Sequence, residues 1–286
     1  MIIDSHSHYY HHNFDGEFPY LCETDGNASI GRSNRETLLS ELRSAGVVGF
    51  VEPSIGIDDI EKQITVAKAH PSFIKTAIGV HPTRCIKTPW SKRKLLSEYV
   101  KKAEAAAIGE LGLDYHMPRE KQHRMLQKRW FIYQLKLAHK LKLPLVLHIR
   151  EADRDALKIL KRYKNKLHGG VVHCFSGTLS DAREYTALGL CLGIGGKLFS
   201  EGERGRELEK TVCEIPLSSL LAETDAPYVI PETWNIDCTK AERKRLCNCS
   251  HILPAVIKRI AELRKIDRTY AEDEIYKNTV RLFGAF

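Results

Sequence analysis

The chain has 286 residues, of which 43% are hydrophobic and 28% charged, a composition ordinary for a globular protein in water. No apolar run reaches the length of a transmembrane helix and no basic segment leads into an apolar one, so a membrane span and a secretory signal are not expected; the eight scattered cysteines then read as reduced cytoplasmic thiols. The formal charge of +8 favours polyanions such as nucleic acid, although Lys92, Arg93, Lys94, Lys101 and Lys102 fit a solvated helical face equally well.

The chain opens MIIDSHSHYYHH. If Ile2 to His8 is extended, His6 and His8 share a face, because side chains two apart point the same way. Neutral imidazole is the commonest biological metal ligand. The pair is either a metal grip or a polar N-terminus, and other ligands must decide. Residues 9–34 then form a connection far longer than the few residues usual between a strand and its helix.

From there short apolar runs alternate with amphipathic stretches. The runs are 1–3, 47–54, 73–82, 106–115, 143–150, 169–176, 190–196 and 219–227. Between them, 35–46, 58–70, 91–105, 119–142, 151–165, 180–189 and 206–215 carry apolar residues at helical spacing. Asn34 suits the N-cap of the first and Gly46 its C-terminal stop. Two further helices, about 250–266 and 270–284, close the chain. Strand–helix alternation predicts parallel strands with crossover helices, and eight such units predict a (β/α)8 barrel occupying residues 1–286 as one domain. A doubly wound open sheet is the alternative.

Barrel active sites lie at the C-terminal strand ends. Those ends carry His6 and His8, His81, Glu110, His148 and Arg150, His173, and Glu223 and Asp225. Any one such histidine can simply bond a backbone carbonyl, but buried together they need a shared partner. His11, His12, His70, His116, His123, His139 and His168 fall on loops or helices and are set aside. Four histidines and two carboxylates exceed the needs of one closed zinc and suit two divalent ions with open positions. Glu110 is the natural bridging anion, since IGELGLDY holds no lysine.

These residues fall in the stretches DSHSH (4–8), GVHP (79–82), GELGLDY (109–115), LHIRE (147–151), HCFSG (173–177), ETDAP (223–227) and NTVRLFG (278–284). In this order and spacing the chain resembles the TatD family of metal-dependent nucleases among the amidohydrolase-like barrels. The resemblance implies a metal-dependent deoxyribonuclease, exonuclease-like on single-stranded DNA, with two divalent ions (Mg²⁺, Mn²⁺ or Zn²⁺). It implies that His6, His8, Glu110 and Asp225 hold one ion and Glu110, His148 and His173 the other. His81 and Glu223 match family positions near the reacting phosphate. The chain departs from the family pattern in the long 9–34 connection and in 233–251.

The expected mechanism is attack by a metal-activated water oriented or deprotonated by Asp225, with His81 as acid. Arg150 is either a phosphate clamp or a surface ion pair. Tyr9, Tyr10, Phe14 and Tyr20 either stack unpaired bases or pack on the barrel rim. Cys238, Cys247, Cys249 and His251 are either a further metal site or free thiols of a surface loop. The rival reading keeps the site and changes the substrate, to an aminoacyl-tRNA ester or a small amide or phosphoester. A non-catalytic nucleic-acid binder is disfavoured, because no ligand position is lost.

Overall fold

In the computed structural model, which describes residues 1–24, 27–116 and 121–286, all eight apolar runs become strands. In chain order the strands are β1 Ile2–Asp4, β2 Phe18–Thr24, β3 Asn27–Ser33, β4 Val47–Pro53, β5 Ile74–Ile78, β6 Ala107–Asp114, β7 Leu145–Arg150, β8 Gly170–Val172, β9 Cys191–Ile194 and β10 Leu220–Ala222. The pair β2 and β3 forms a separate antiparallel hairpin. The other eight lie in the order β1-β4-β5-β6-β7-β8-β9-β10, with parallel pairing throughout.

The ring closes between its ends. Ser5 N–H donates to the Ala222 carbonyl at 2.9 Å, Asp225 N–H to His6 at 2.9 Å and His8 N–H to Ala226 at 2.7 Å. These bonds extend the β10–β1 seam past both strands, and they exclude the open sheet.

Helices separate the strands: α1 Arg35–Ser44, α2 Ile60–Ala69, α3 Arg93–Lys102, α4 Lys121–Leu141, α5 Asp153–Arg162, α6 Leu179–Ala187, α7 Gly202–Glu214, α8 Lys240–Arg245, α9 Leu253–Arg264 and α10 Arg268–Phe283. Asn34 caps α1 as expected, its side-chain oxygen accepting from Thr37 N–H at 3.0 Å. Gly46 takes the left-handed turn (φ 87°) just past the helix end. Arg119 and Glu120, with which the expected fourth helix begins, lie outside the described residues, as do Asp25 and Gly26. No described helix is long and apolar enough to cross a membrane.

One residue from each of seven strands (Val51, Ala77, Ala107, Val146, Val171, Cys191 and Leu221) clusters with Phe283 from the last helix. The larger apolar layer lies between strands and helices. Several strands are shorter than their apolar runs. The 169–176 run, for instance, leaves the ladder after Val172, because His173 and Cys174 turn into the mouth of the barrel.

The 9–34 connection is corrected from a loop to a hairpin. Its aromatic residues do not face solvent. Tyr9, Phe14, Phe18 and Tyr20 pack with Leu38, Leu42, Phe50 and Phe73 in a second core, and Tyr10 is buried as well. That burial removes base stacking from Tyr9, Tyr10, Phe14 and Tyr20. Their apolar rings gain more from leaving water than a mobile loop would return. The free edge of β2 pairs with the 245–249 segment, Leu21 N–H donating to Cys247 at 2.9 Å and Cys247 N–H to Pro19 at 2.9 Å. Cys247 and Cys249 are thereby buried, and not thiols of a surface loop. All eight cysteines are unpaired.

Candidate active site

Asp4 ends β1; the chain bends at Ser5 and His6 instead of staying extended to His8, and Ser7 bridges Ala226 on the β10 seam. His6 and His8 still point the same way, their Nε2 atoms 3.1 Å apart. His8 donates Nδ1–H to the Pro53 carbonyl at 3.0 Å, which turns its Nε2 toward His6 and Asp225. Asp225 Oδ1 lies 3.5 Å from both Nε2 atoms. Glu110 Oε2 lies 3.7 Å from His6 and 3.8 Å from His8.

The other oxygen of Glu110 faces a second group. Oε1 is 2.7 Å from His173 Nε2 and 2.9 Å from His148 Nδ1. Those two nitrogens are 3.0 Å apart. His81 Nε2 stands 3.5 Å from the same oxygen. Three donor sets thus meet on two carboxylates: His6 with His8 and Asp225, His6 with Glu110 and His173, and His81 with Glu110 and His148. Glu110 spans the centre of the mouth with one oxygen on each side.

The donors fit divalent cations. Ring nitrogens and carboxylate oxygens converge in a buried place, where a cation would displace the protons they share, and His6 Nδ1 and His173 Nδ1 have no hydrogen-bond partner among the described residues. Burial pushes Glu110 up, but the His173 and His81 rings and hydrogen bonds from His148 and His173 outweigh it, holding the carboxyl well below its usual range. Asp225 is lowered in the same way, burial being outweighed by the hydrogen bond from His8 and by the charges of His173 and His6. Both are therefore anions where a cation would sit. Burial and the neighbouring His148 ring lower His81 to about 3, so it is neutral near pH 7.

Glu223 is fully buried behind the cluster. Its Oε1 accepts from the Cys174 N–H and lies 3.8 Å from His173 Nδ1. Burial and the nearby Asp225 push this carboxyl well above its ordinary range. Gly193 makes its room, because a side-chain carbon there would overlap the carboxylate. Arg150 is exposed and lines an open cleft of about 830 Å³ together with His148, His173, Asp225, Lys197, Arg204 and Tyr228. No ion pair of Arg150 is found among the described residues.

Several residues of this centre escape a reading confined to strand ends. Asp114 Oδ2 sits 3.1 Å from His148 Nε2, so the ring's other nitrogen faces Glu110. Asp4 accepts from the N–H of His6 at 3.2 Å, the N–H and hydroxyl of Thr224 at 3.0 and 2.7 Å, and the Ser250 hydroxyl at 2.6 Å. It ties the two seam strands together beneath the histidines. Both aspartates stand inside stretches already singled out, and an acid in an apolar strand was the available signal. Glu52, also fully buried, accepts from Tyr10 N–H at 2.8 Å. Cys238, Cys247, Cys249 and His251 form no ligand group among the described residues.

A closed (β/α)8 barrel whose C-terminal mouth gathers imidazoles around anionic carboxylates is the layout of a metal-dependent hydrolase. The family model for TatD related DNase matches residues 3–284. The chain belongs to this TatD family. A 3′-5′ ssDNA/RNA exonuclease TatD of Cronobacter sakazakii is 35% identical over 256 residues, covering 87% of this chain and 92% of the relative. The Escherichia coli protein of that name is 32% identical over 255 residues, covering 88% and 93%.

Among solved structures, a TatD family hydrolase of Entamoeba histolytica superposes with a TM-score of 0.81 at 23% identity, covering 100% of this chain and 98% of that one. The TatD homologue YjjV of Escherichia coli gives 0.77 at 24%, covering 99% and 97%. These two show the shared barrel.

Proposed function

We propose that this hydrolase shortens single-stranded DNA from one end, using two divalent ions held at the barrel mouth. The observation that carries the proposal is the position of Glu110, one carboxylate oxygen toward His6 and His8 and the other toward His148 and His173. On this reading His6, His8, Glu110 and Asp225 hold one ion, and Glu110, His148 and His173 the other. Mg²⁺, Mn²⁺ and Zn²⁺ are the candidates, and the four imidazoles favour Zn²⁺ or Mn²⁺ over Mg²⁺, which prefers oxygen ligands. The names of the relatives support 3′-to-5′ digestion and extend the substrate to RNA. They do not favour the aminoacyl-tRNA ester or small-molecule alternative. Free thiols suit a cytoplasmic setting.

Divalent ions held there supply Lewis acidity, activating a water and neutralising charge that develops on the phosphate. The chain's own residues do the rest. Asp225, anionic and 3.5 Å from two imidazoles, orients the attacking water and takes its proton. His81, neutral near pH 7, accepts Thr83 N–H on Nδ1 and turns Nε2–H to the edge of the cluster, which suits a hydrogen bond to a phosphate oxygen and not the acid role expected of it. Arg150, exposed in the cleft, meets a neighbouring phosphate of the strand. Glu223 positions the 173–174 turn by accepting the Cys174 N–H.

The test uses single-stranded DNA labelled at either end, with Mg²⁺ or Mn²⁺ and with a chelator control. Stepwise shortening stopped both by the chelator and by Glu110→Gln is expected. Full activity of Glu110→Gln would overturn the bridging role. No product from protein shown to carry two ions per chain would overturn the nuclease reading and favour a carbonyl ester.

A further inference from the structure

With Tyr9, Tyr10, Phe14 and Tyr20 buried, the cleft still presents one exposed aromatic ring. Tyr228 is 42% exposed and lines the cleft beside Asp225. Among the described residues, the other exposed large hydrophobic side chains (Met1, Ile86, Leu95, Met125 and Tyr270) line no part of it. A tyrosine ring left in water among charged groups has apolar area to offer a ligand.

The ring is held from both ends. Its backbone N–H donates to the Asp225 carbonyl at 2.8 Å. Its hydroxyl lies 3.1 Å from His11 Nε2. His11 Nδ1 accepts from Asn13 N–H at 3.3 Å, so Nε2 carries the ring proton and the tyrosine hydroxyl is the acceptor. The platform is therefore set in place before anything binds, which lowers the entropy lost on stacking. Its centroid is 6.3 Å from that of His8, at a steep 68° between planes.

We infer that Tyr228 is a stacking platform for the nucleobase of the nucleotide whose phosphate is cleaved, with His11 of the hairpin insertion holding its hydroxyl. This rests on the nuclease reading above. A ring so close to a candidate ligand histidine is in reach of the base attached to the reacting nucleotide. Stacking needs only a π face, so the residue favours a base over none and discriminates little among the four.

The test measures kcat/KM on single-stranded DNA ending in a normal nucleotide or in an abasic residue, for the wild type, Tyr228→Ala and Tyr228→Trp. Tyr228→Ala is expected to lose about tenfold or more on the normal strand. The abasic end is expected to cost the wild type a similar factor and to cost Tyr228→Ala almost nothing further. Tyr228→Trp, which keeps a platform, retains most of the activity. If Tyr228→Ala loses the same factor on both strands, the residue does not contact the base and the inference is overturned. If the wild type digests DNA and Tyr228→Ala is unchanged, the inference alone fails. A wild type inactive on both strands with ions bound overturns the nuclease reading and the inference with it.

Discussion

Asp114 accepts from His148, Oδ2 to Nε2, across 3.1 Å, and so fixes which nitrogen of that ring faces Glu110. A ligand histidine gains basicity and a set orientation from such a carboxylate. Asp114 also accepts from its own strand's exit, His116 N–H at 2.9 Å, while Gln127 clamps its backbone from α4. Asp114→Asn keeps the shape and loses the charge. It is expected to weaken Mn²⁺ or Zn²⁺ binding about 10- to 100-fold. Competition against a chromophoric chelator measures this, and unaltered affinity would separate Asp114 from the metal centre.

Metal affinity is expected to depend on pH through His148. Burial lowers this ring, but the hydrogen bonds it donates to Asp114 and Glu110 outweigh it and raise it to about 9. A cation on Nδ1 competes with that proton. Apparent affinity is therefore expected to climb as pH rises toward about 9 and to fall in acid. Calorimetric titration with Mn²⁺ in buffers of different ionisation enthalpy also counts the protons released. A flat profile with no proton release would contradict the assignment of His148 as a ligand.

Glu52 predicts a pH effect on stability. Burial pushes its carboxyl up to about 8, against the hydrogen bond from Tyr10. A carboxyl raised in the folded state contributes stability that is fully present below its unfolded value near 4.5 and is lost as pH rises through 8. The loss is on the order of 5 kcal/mol. Glu52→Gln keeps the acceptor for Tyr10 and removes the titration. Its melting temperature is expected to exceed that of the wild type at pH 8 and to match it near pH 4.5. Parallel melting curves across this window would show that Glu52 is solvated.

Phe14 tests the hairpin insertion. Its ring is fully buried against Tyr9 and Phe18. Phe14→Ala is expected to destabilise by about 3–5 kcal/mol, which lowers the melting temperature by about 10 °C in a chain of this size. Turnover per folded molecule should be retained below the transition. A selective loss of single-strand affinity at full stability would return this ring to a substrate-binding role.

What the sequence by itself determined is the barrel and most of the centre. Strand–helix alternation is local, and eight repeats of it admit few topologies, so the order of strands followed from the order of runs. The metal-centre candidates were legible because imidazoles and carboxylates are conspicuous in apolar strands. His6, His8, His81, Glu110, His148, His173, Glu223 and Asp225 all meet at one mouth because closure brings every strand end to the same face. Closure itself decided what pattern does not encode. It joined Asp4 to Thr224 and Ser250, which lie more than 200 residues away in sequence. The register of β6 against β7 gave Asp114 to His148.

Tertiary structure also decided the fate of the aromatic residues. An exposed stacking ring and a buried core ring have the same side chain, and only the neighbours that exclude water tell them apart. Tyr9, Tyr10, Phe14 and Tyr20 found such neighbours beneath the hairpin. Tyr228, set at the cleft by the turn after Asp225, did not, and so remains open to solvent and to a ligand.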